Sequence, residues 1–203
     1  QHLKIIVASS GAVLGNESPP FTEKSVISPV SPYGASKASI EHYCKAFSYT
    51  YGLNIVTCRF SNVYGPFSMH KNTVVHNMFK TAMKNNKIYV SGSGKQTRDF
   101  LYVKDLVDAL FLLSRQQQKK EYEVYNIATS KETSILELAH FLQEIFDTKM
   151  NLKAKIKFTK MLKGEVDRSF ANYNLINRTT NWKPNTNLYE NLSHTISWFK
   201  QNY

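Results

Sequence analysis

The chain has 203 residues, 42% of them hydrophobic and 20% charged, a composition ordinary for a globular fold that excludes wholesale disorder. Its formal net charge of +11 raises nucleic acid as a partner, but the lysines are scattered among Asn, Thr and Tyr rather than clustered, so a solvated basic face that favours anionic substrates is expected instead. No apolar run reaches membrane-spanning length, the start Gln1-His2-Leu3-Lys4 is no secretion signal, and Cys44 and Cys58 fall in a helical and a strand pattern; the reading is a cytoplasmic protein with buried thiols, without membrane or nucleic-acid contact and with no metal site.

Residues 3–8 form a continuous apolar run of strand length, as in a parallel sheet covered on both faces. A domain rarely opens in mid-sheet, so further chain is expected before this point. Residues 9–30 read as a long loop. Ser31-Pro32 then supplies a capping hydroxyl and a first-turn proline, Ile40, Tyr43, Phe47 and Tyr51 follow at helical spacing, and Gly52 ends the helix. Residues 54–60 are the next strand, and strand–helix–strand at this spacing predicts a right-handed βαβ unit.

Beyond Gly65-Pro66 the elements shorten. Helices are predicted over 74–84, 103–114, 134–146 and 188–202, the third opened by a capping box at Ser134 and Glu137. Strands are predicted over 87–90, 124–127 and 153–158, and residues 149–163 interleave lysine with apolar residues as an edge strand does. The fold class is α/β.

The segment Tyr33-Gly34-Ala35-Ser36-Lys37 can carry chemistry. Positions i and i+4 share a helix face, and a cation beside a phenol favours the phenolate, giving a base for a substrate hydroxyl. The spacing alone fits a surface pair equally well. Ser9-Ser10-Gly11, however, follows directly on the first strand, at the carboxyl end where open α/β sheets place ligands. A hydroxyl there can bond the reacting oxygen and share its proton with Tyr33. A serine that merely caps the loop backbone is the competing reading.

Four motifs stand in order: residues 9–15 (SSGAVLG), 31–37 (SPYGASK), 59–66 (RFSNVYGP) and 98–105 (RDFLYVKD). With residues 124–127 (VYNI) and 181–184 (NWKP), they resemble the extended short-chain dehydrogenase/reductase family, NAD-dependent epimerase/dehydratases, and within it the UDP-glucose 4-epimerases. The resemblance spans essentially the whole chain. It implies the C-terminal part of a Rossmann-type parallel sheet with a smaller α/β substrate-binding lobe. Residues 1–66 would be the second half of the NAD-binding domain and 67–203 mainly the substrate lobe, with 97–130 returning to the sheet.

The resemblance further implies a catalytic Ser10, Tyr33 as general base and Lys37 on the nicotinamide ribose, with Tyr33, Lys37 and Ser61 bordering NAD. Asn62 and Arg98 would hold the diphosphate of a UDP-sugar substrate, the guanidinium by a two-pronged grip. A local Arg98–Asp99 ion pair is the alternative. Thr73 and Val74 would lie along the nucleotide, and Tyr89 near the uracil or in the core. Ser169 falls at a pocket wall where a small residue leaves room for an N-acetyl group. The activity implied is inversion at C4 through a transient 4-keto sugar. It is favoured over dehydration because no carboxylate follows Ser10. Other nucleotide-sugar dehydratases or reductases, and an inactive nucleotide-sugar-binding remnant, are the alternatives.

Two departures stand out. An arginine usual just before the Gly164-Glu165 pair is replaced by Leu162, leaving Lys160 and Lys163 as nearby cations. A Gly-x-x-Gly-x-x-Gly phosphate loop is absent, since Gly92-x-Gly94 reads as a plain turn; about a hundred residues of upstream βαβ structure would complete such a fold, which is read as N-terminally truncated. In full length, a homodimer through the helix carrying Tyr33 is expected.

Overall fold

The structure, a computed structural model, describes residues 3–15, 17–68, 70–161, 165–185 and 187–202. The chain runs through β1 (Lys4–Ser10), a 3₁₀ turn (Gly11–Val13), α1 (Pro32–Tyr51), β2 (Asn54–Phe60) and β3 (Asn62–Tyr64). Next come α2 (Val74–Asn85), β4 (Lys87–Ser91), β5 (Thr97–Arg98), β6 (Phe100–Tyr102), α3 (Val103–Arg115) and β7 (Tyr122–Ile127). β8 (Thr133–Ser134), α4 (Ile135–Met150), β9 (Lys155–Thr159), β10 (Arg168–Ser169), α5 (Asn174–Thr180) and α6 (Leu188–Asn202) complete it.

β1, β2 and β7 form a parallel sheet in that order, with β1 and β2 in register from Lys4↔Asn54 to Ser10↔Phe60. Alternate residues of β2 serve its two faces. Val56 and Cys58 pack with Leu106, Ala109 and Leu113 of α3, whereas Arg59 meets Glu41 of α1. α1 begins where the sequence places it, because the Ser31 hydroxyl accepts from Gly34 N–H and Pro32 needs no partner. It ends at Gly52, whose φ of 64° is left-handed.

A second core gathers α2, β4, α4 and α6 around Phe79, Phe146 and Phe199. β4 turns Ile88 and Val90 inward and pairs with β9, which carries Lys155 and Lys157 exposed, in the interleaved pattern of an edge strand. α5 and Trp182 join the sheet core as well, so residues beyond the 97–130 segment also return to it. The sequence reading missed β3, β5, β6, β8 and β10, which at two or three residues are too short to show a period. It also ended the first strand two residues early, since β1 continues through Ser10.

Cys44 is half-buried and Cys58 buried, both free thiols. Among the described residues no helix is long and apolar enough to cross a membrane. Phe79 is fully buried with its ring 5.0 Å from that of Phe199 and 6.2 Å from that of Phe146. Phe79→Ala is expected to lower unfolding free energy by about 3–5 kcal/mol in urea titrations.

Candidate active site

The carboxyl ends of β1 and β2 bring Ser10 and the Ser61-Asn62 pair to one edge of the sheet, and α1 starts beside them. A Cβ on Gly34 would come within 2.5 Å of the Ala12 carbonyl oxygen, so glycine there lets the first turn of α1 lie against the Ser10 turn. Lys37 points inward. Its Nζ donates to the Ala8 carbonyl at 3.0 Å and lies 6.0 Å from the centre of the Tyr33 ring. Tyr33 itself is 56% exposed, and its hydroxyl has no hydrogen bond among the described residues. The Ser10 hydroxyl accepts from Ala12 N–H at 3.2 Å, so it does cap the turn, while its own proton is left to donate elsewhere.

A cavity of about 770 Å³ runs from Ser10 and Tyr33 past Ser61, Asn62 and Arg98 to Thr73, Val74 and Tyr89. A smaller one, about 320 Å³, shares Ser10, Tyr33, Asn62 and Arg98 and reaches Ser169. Lys37 lines neither cavity. Tyr89 is on the outer face of β4, 39% exposed, because its neighbours Ile88 and Val90 take the core positions. Thr73 caps α2, its hydroxyl accepting from His76 N–H.

Arg98 is held firmly. Its Nη1 donates to the Thr97 and Val166 carbonyls, each at 2.8 Å, and its Nη2 to Glu165 Oε1 at 3.3 Å. The local Arg98–Asp99 pair does not form, since the Arg98 guanidinium turns to Glu165 and the Thr97 and Val166 carbonyls, while Asp99 lies between β5 and β6 and faces Thr129 and Ser130. Asp99 instead turns inward and accepts from Thr129 N–H, Thr129 Oγ1–H and Ser130 N–H.

The bonding roles of several groups escaped the sequence reading. Glu165 takes donors from Ser91 Oγ and Gln96 Nε2 as well as from Arg98. Under α1, Ser9 and Arg59 both bind a buried Glu41. A helical spacing of four from Lys37 was the available signal for Glu41. Leu162, Lys163 and Gly164 lie outside the described residues, and Lys160 is exposed. Among the described residues no three potential ligands are grouped to hold a metal.

Residues 1–128 match the NAD dependent epimerase/dehydratase family. The chain is 33% identical over 203 residues to a provisionally named UDP-glucose 4-epimerase of Methanocaldococcus jannaschii, a match covering 98% of this chain and 64% of that protein. It is 30% identical over 190 residues to dTDP-glucose 4,6-dehydratase 1 of Escherichia coli K12, covering 92% and 52%. Among solved structures, UDP-glucuronic acid 4-epimerase of Bacillus cereus, in complex with UDP-glucuronic acid and NAD, superposes with a TM-score of 0.89 at 28% identity, covering 98% of this chain and 62% of that one. The chain thus spans less than two-thirds of the length of these relatives.

Burial pushes the Asp99 carboxyl up from 3.8 to about 6, outweighing the Thr129 and Ser130 donors that favour its charged form. A folded-state value above the unfolded one means that this group's stabilising contribution is full below about 4 and is lost as pH rises through about 6. Carboxyl-carbon NMR should show Asp99 titrating near 6. Unfolding free energy should fall between those pH values in the parent and lack that component in Asp99→Asn.

Proposed function

Because the chain belongs to the NAD dependent epimerase/dehydratase family, we propose that its cavities serve inversion at C4 of a UDP-hexose or UDP-N-acetylhexosamine. In this reading the larger cavity takes the nucleotide and the smaller one the hexose, with Asn62 and Arg98 on the diphosphate where the two meet. Thr73, Val74 and Tyr89 border the nucleotide, and Ser169 bounds the sugar. The observation that carries the proposal is that Ser10 and Tyr33 line both cavities, with their hydroxyl protons uncommitted among the described residues.

NAD is the cofactor of the family, and the residues present fit its nicotinamide-ribose end. Lys37 spends one proton on Ala8 and has two more for ribose hydroxyls, beside an unengaged Tyr33 hydroxyl and Ser61. NAD, when bound, supplies a hydride acceptor and donor. Tyr33 Oη takes the proton of the sugar hydroxyl, Ser10 Oγ–H donates to the same oxygen, and Lys37, its Nζ 6.0 Å from the Tyr33 ring centre, holds the ribose beside them.

Gly11, Ala12 and Val13 follow Ser10, and the carboxylate on the cavity wall, Glu165, is engaged by three donors. An elimination of water would call for a proton carrier that this arrangement does not offer beside Ser10, which favours epimerisation over dehydration. A homodimer fits the exposed stripe of Tyr43, Phe47 and Tyr51 on α1, and a cytoplasmic setting fits the free thiols.

The missing phosphate loop makes inactivity of the isolated chain an expected outcome, so bound NAD is measured first; where NAD is retained, UDP-glucose or UDP-N-acetylglucosamine should yield the C4 epimer, identified by NMR of the product. Tyr33→Phe should cut kcat by about 100-fold or more while calorimetric UDP binding persists. A 4-keto-6-deoxy product would point to a dehydratase, and nucleotide-sugar binding without turnover to an inactive remnant. Ser169→Tyr should lower turnover of the N-acetyl substrate about tenfold or more relative to UDP-glucose.

A further inference from the structure

We infer that Glu41 is a positioning residue which, through Ser9 and Arg59, sets the height of α1 on the sheet and so the placement of Lys37 and Tyr33 against Ser10. The inference rests on the reading of those three as the reacting groups. Glu41 is 2% exposed, and its carboxylate is the meeting point of three elements. Ser9 Oγ–H of β1 donates to Oε1 at 2.6 Å, and Arg59 of β2 grips both oxygens, Nε to Oε1 at 2.9 Å and Nη2 to Oε2 at 2.7 Å.

Ser9 and Arg59 face each other on one rung of the sheet. The next rung, Ser10↔Phe60, leads straight into the Ser10 turn and the Ser61-Asn62 segment. One carboxylate therefore fixes the last rung before both cavity-lining segments. Lys37 stands one helical turn, about 6 Å, before Glu41 and bonds to Ala8, the residue before Ser9. Consecutive residues of β1 thus hold consecutive turns of α1, and Tyr33 projects from the turn beyond. A buried ion pair adds little net stability over apolar packing, but its directional bonds fix the relative position of the elements it joins.

Arg59 Nη1 is buried without a hydrogen-bond partner, so removing the Glu41 charge endangers folding. Ser9→Ala is the milder probe, because it deletes one bond and neither charge, and Ser9→Thr restores the hydroxyl. In the 203-residue chain, acylation of Lys37 by acetic anhydride would be followed by peptide mass spectrometry, with exposed Lys45 of the same helix as reference. Ser9→Ala should raise the Lys37:Lys45 rate ratio about five-fold, and Ser9→Thr should return it to within about two-fold of the parent. Glu41→Gln, where circular dichroism shows it folded, should raise the ratio at least as far. Turnover of UDP-hexose in the same samples should lose kcat with KM unchanged. An unchanged ratio in folded Ser9→Ala, or no rescue by Ser9→Thr, overturns the inference. A parent that carries bound NAD and still turns over no nucleotide sugar defeats the epimerase reading, and the Lys37 ratio still decides this one.

Discussion

In a parallel sheet every strand leaves by the same edge, and here β1 and β2 end on a common rung, Ser10 opposite Phe60. That pairing brings a hydroxyl from one connection and an amide from the next to the same edge. Backbone hydrogen bonds hold the two strands against each other but do not hold the helix that covers them. α1 needs bonds of its own to the sheet, and it has them where they matter, at Ala8, Ser9 and Arg59. Farther along, the Tyr43–Tyr51 end of the helix carries exposed aromatic rings instead. Its precision is concentrated at the end that bears Tyr33.

The opposite wall has a different origin. Arg98 and Ser169 lie on two-residue strands, β5 and β10, which bury little and cannot hold a position alone. Asp99 ties them to the sheet lobe. Its carboxylate collects the Thr129 and Ser130 donors just after β7, its N–H donates to the Ser169 carbonyl, and its own carbonyl accepts from Asn62 N–H. Residues from both halves of the site are therefore bonded to one buried acid. The desolvation that raises its pKa accompanies that convergence, and charge-assisted hydrogen bonds offset part of the cost.

Elements with a strong period or a clear cap were legible in sequence. The apolar run at residues 3–8, the Ser31-Pro32 start, the Gly52 stop and the Ile88/Val90 alternation each follow from local chemistry, and the last could have settled the position of Tyr89. Two-residue strands have no period to read. A residue like Glu41 is harder still: a charged side chain in an amphipathic helix reads as solvent-facing, and only the third dimension shows Ser9 and Arg59 waiting for it. The resemblance supplied the order of the motifs. It did not show that Lys37 bonds to Ala8 outside both cavities, nor that Arg98 takes Glu165 rather than Asp99 as its partner.

Under the proposed nucleotide-sugar function, Glu165 puts a carboxylate on the wall of a cavity meant for an anionic substrate. Its charge is spread over the Ser91, Gln96 and Arg98 donors, so it acts less as a repelling centre than as a brace. With Glu165 and the Thr97 and Val166 carbonyls on its two terminal nitrogens, the Arg98 guanidinium is oriented before any ligand arrives, which, in the nucleotide-sugar function proposed above, would lower the entropy cost of engaging a diphosphate. The brace weakens the local attraction that the arginine would exert by itself. Attraction at longer range comes from elsewhere: a net charge of +11 spread over the surface draws anions toward the molecule whatever Glu165 does, though added salt screens that field within about 10 Å. Capture and orientation are thus separated, the first assigned to a diffuse surface charge and the second to a few buried bonds.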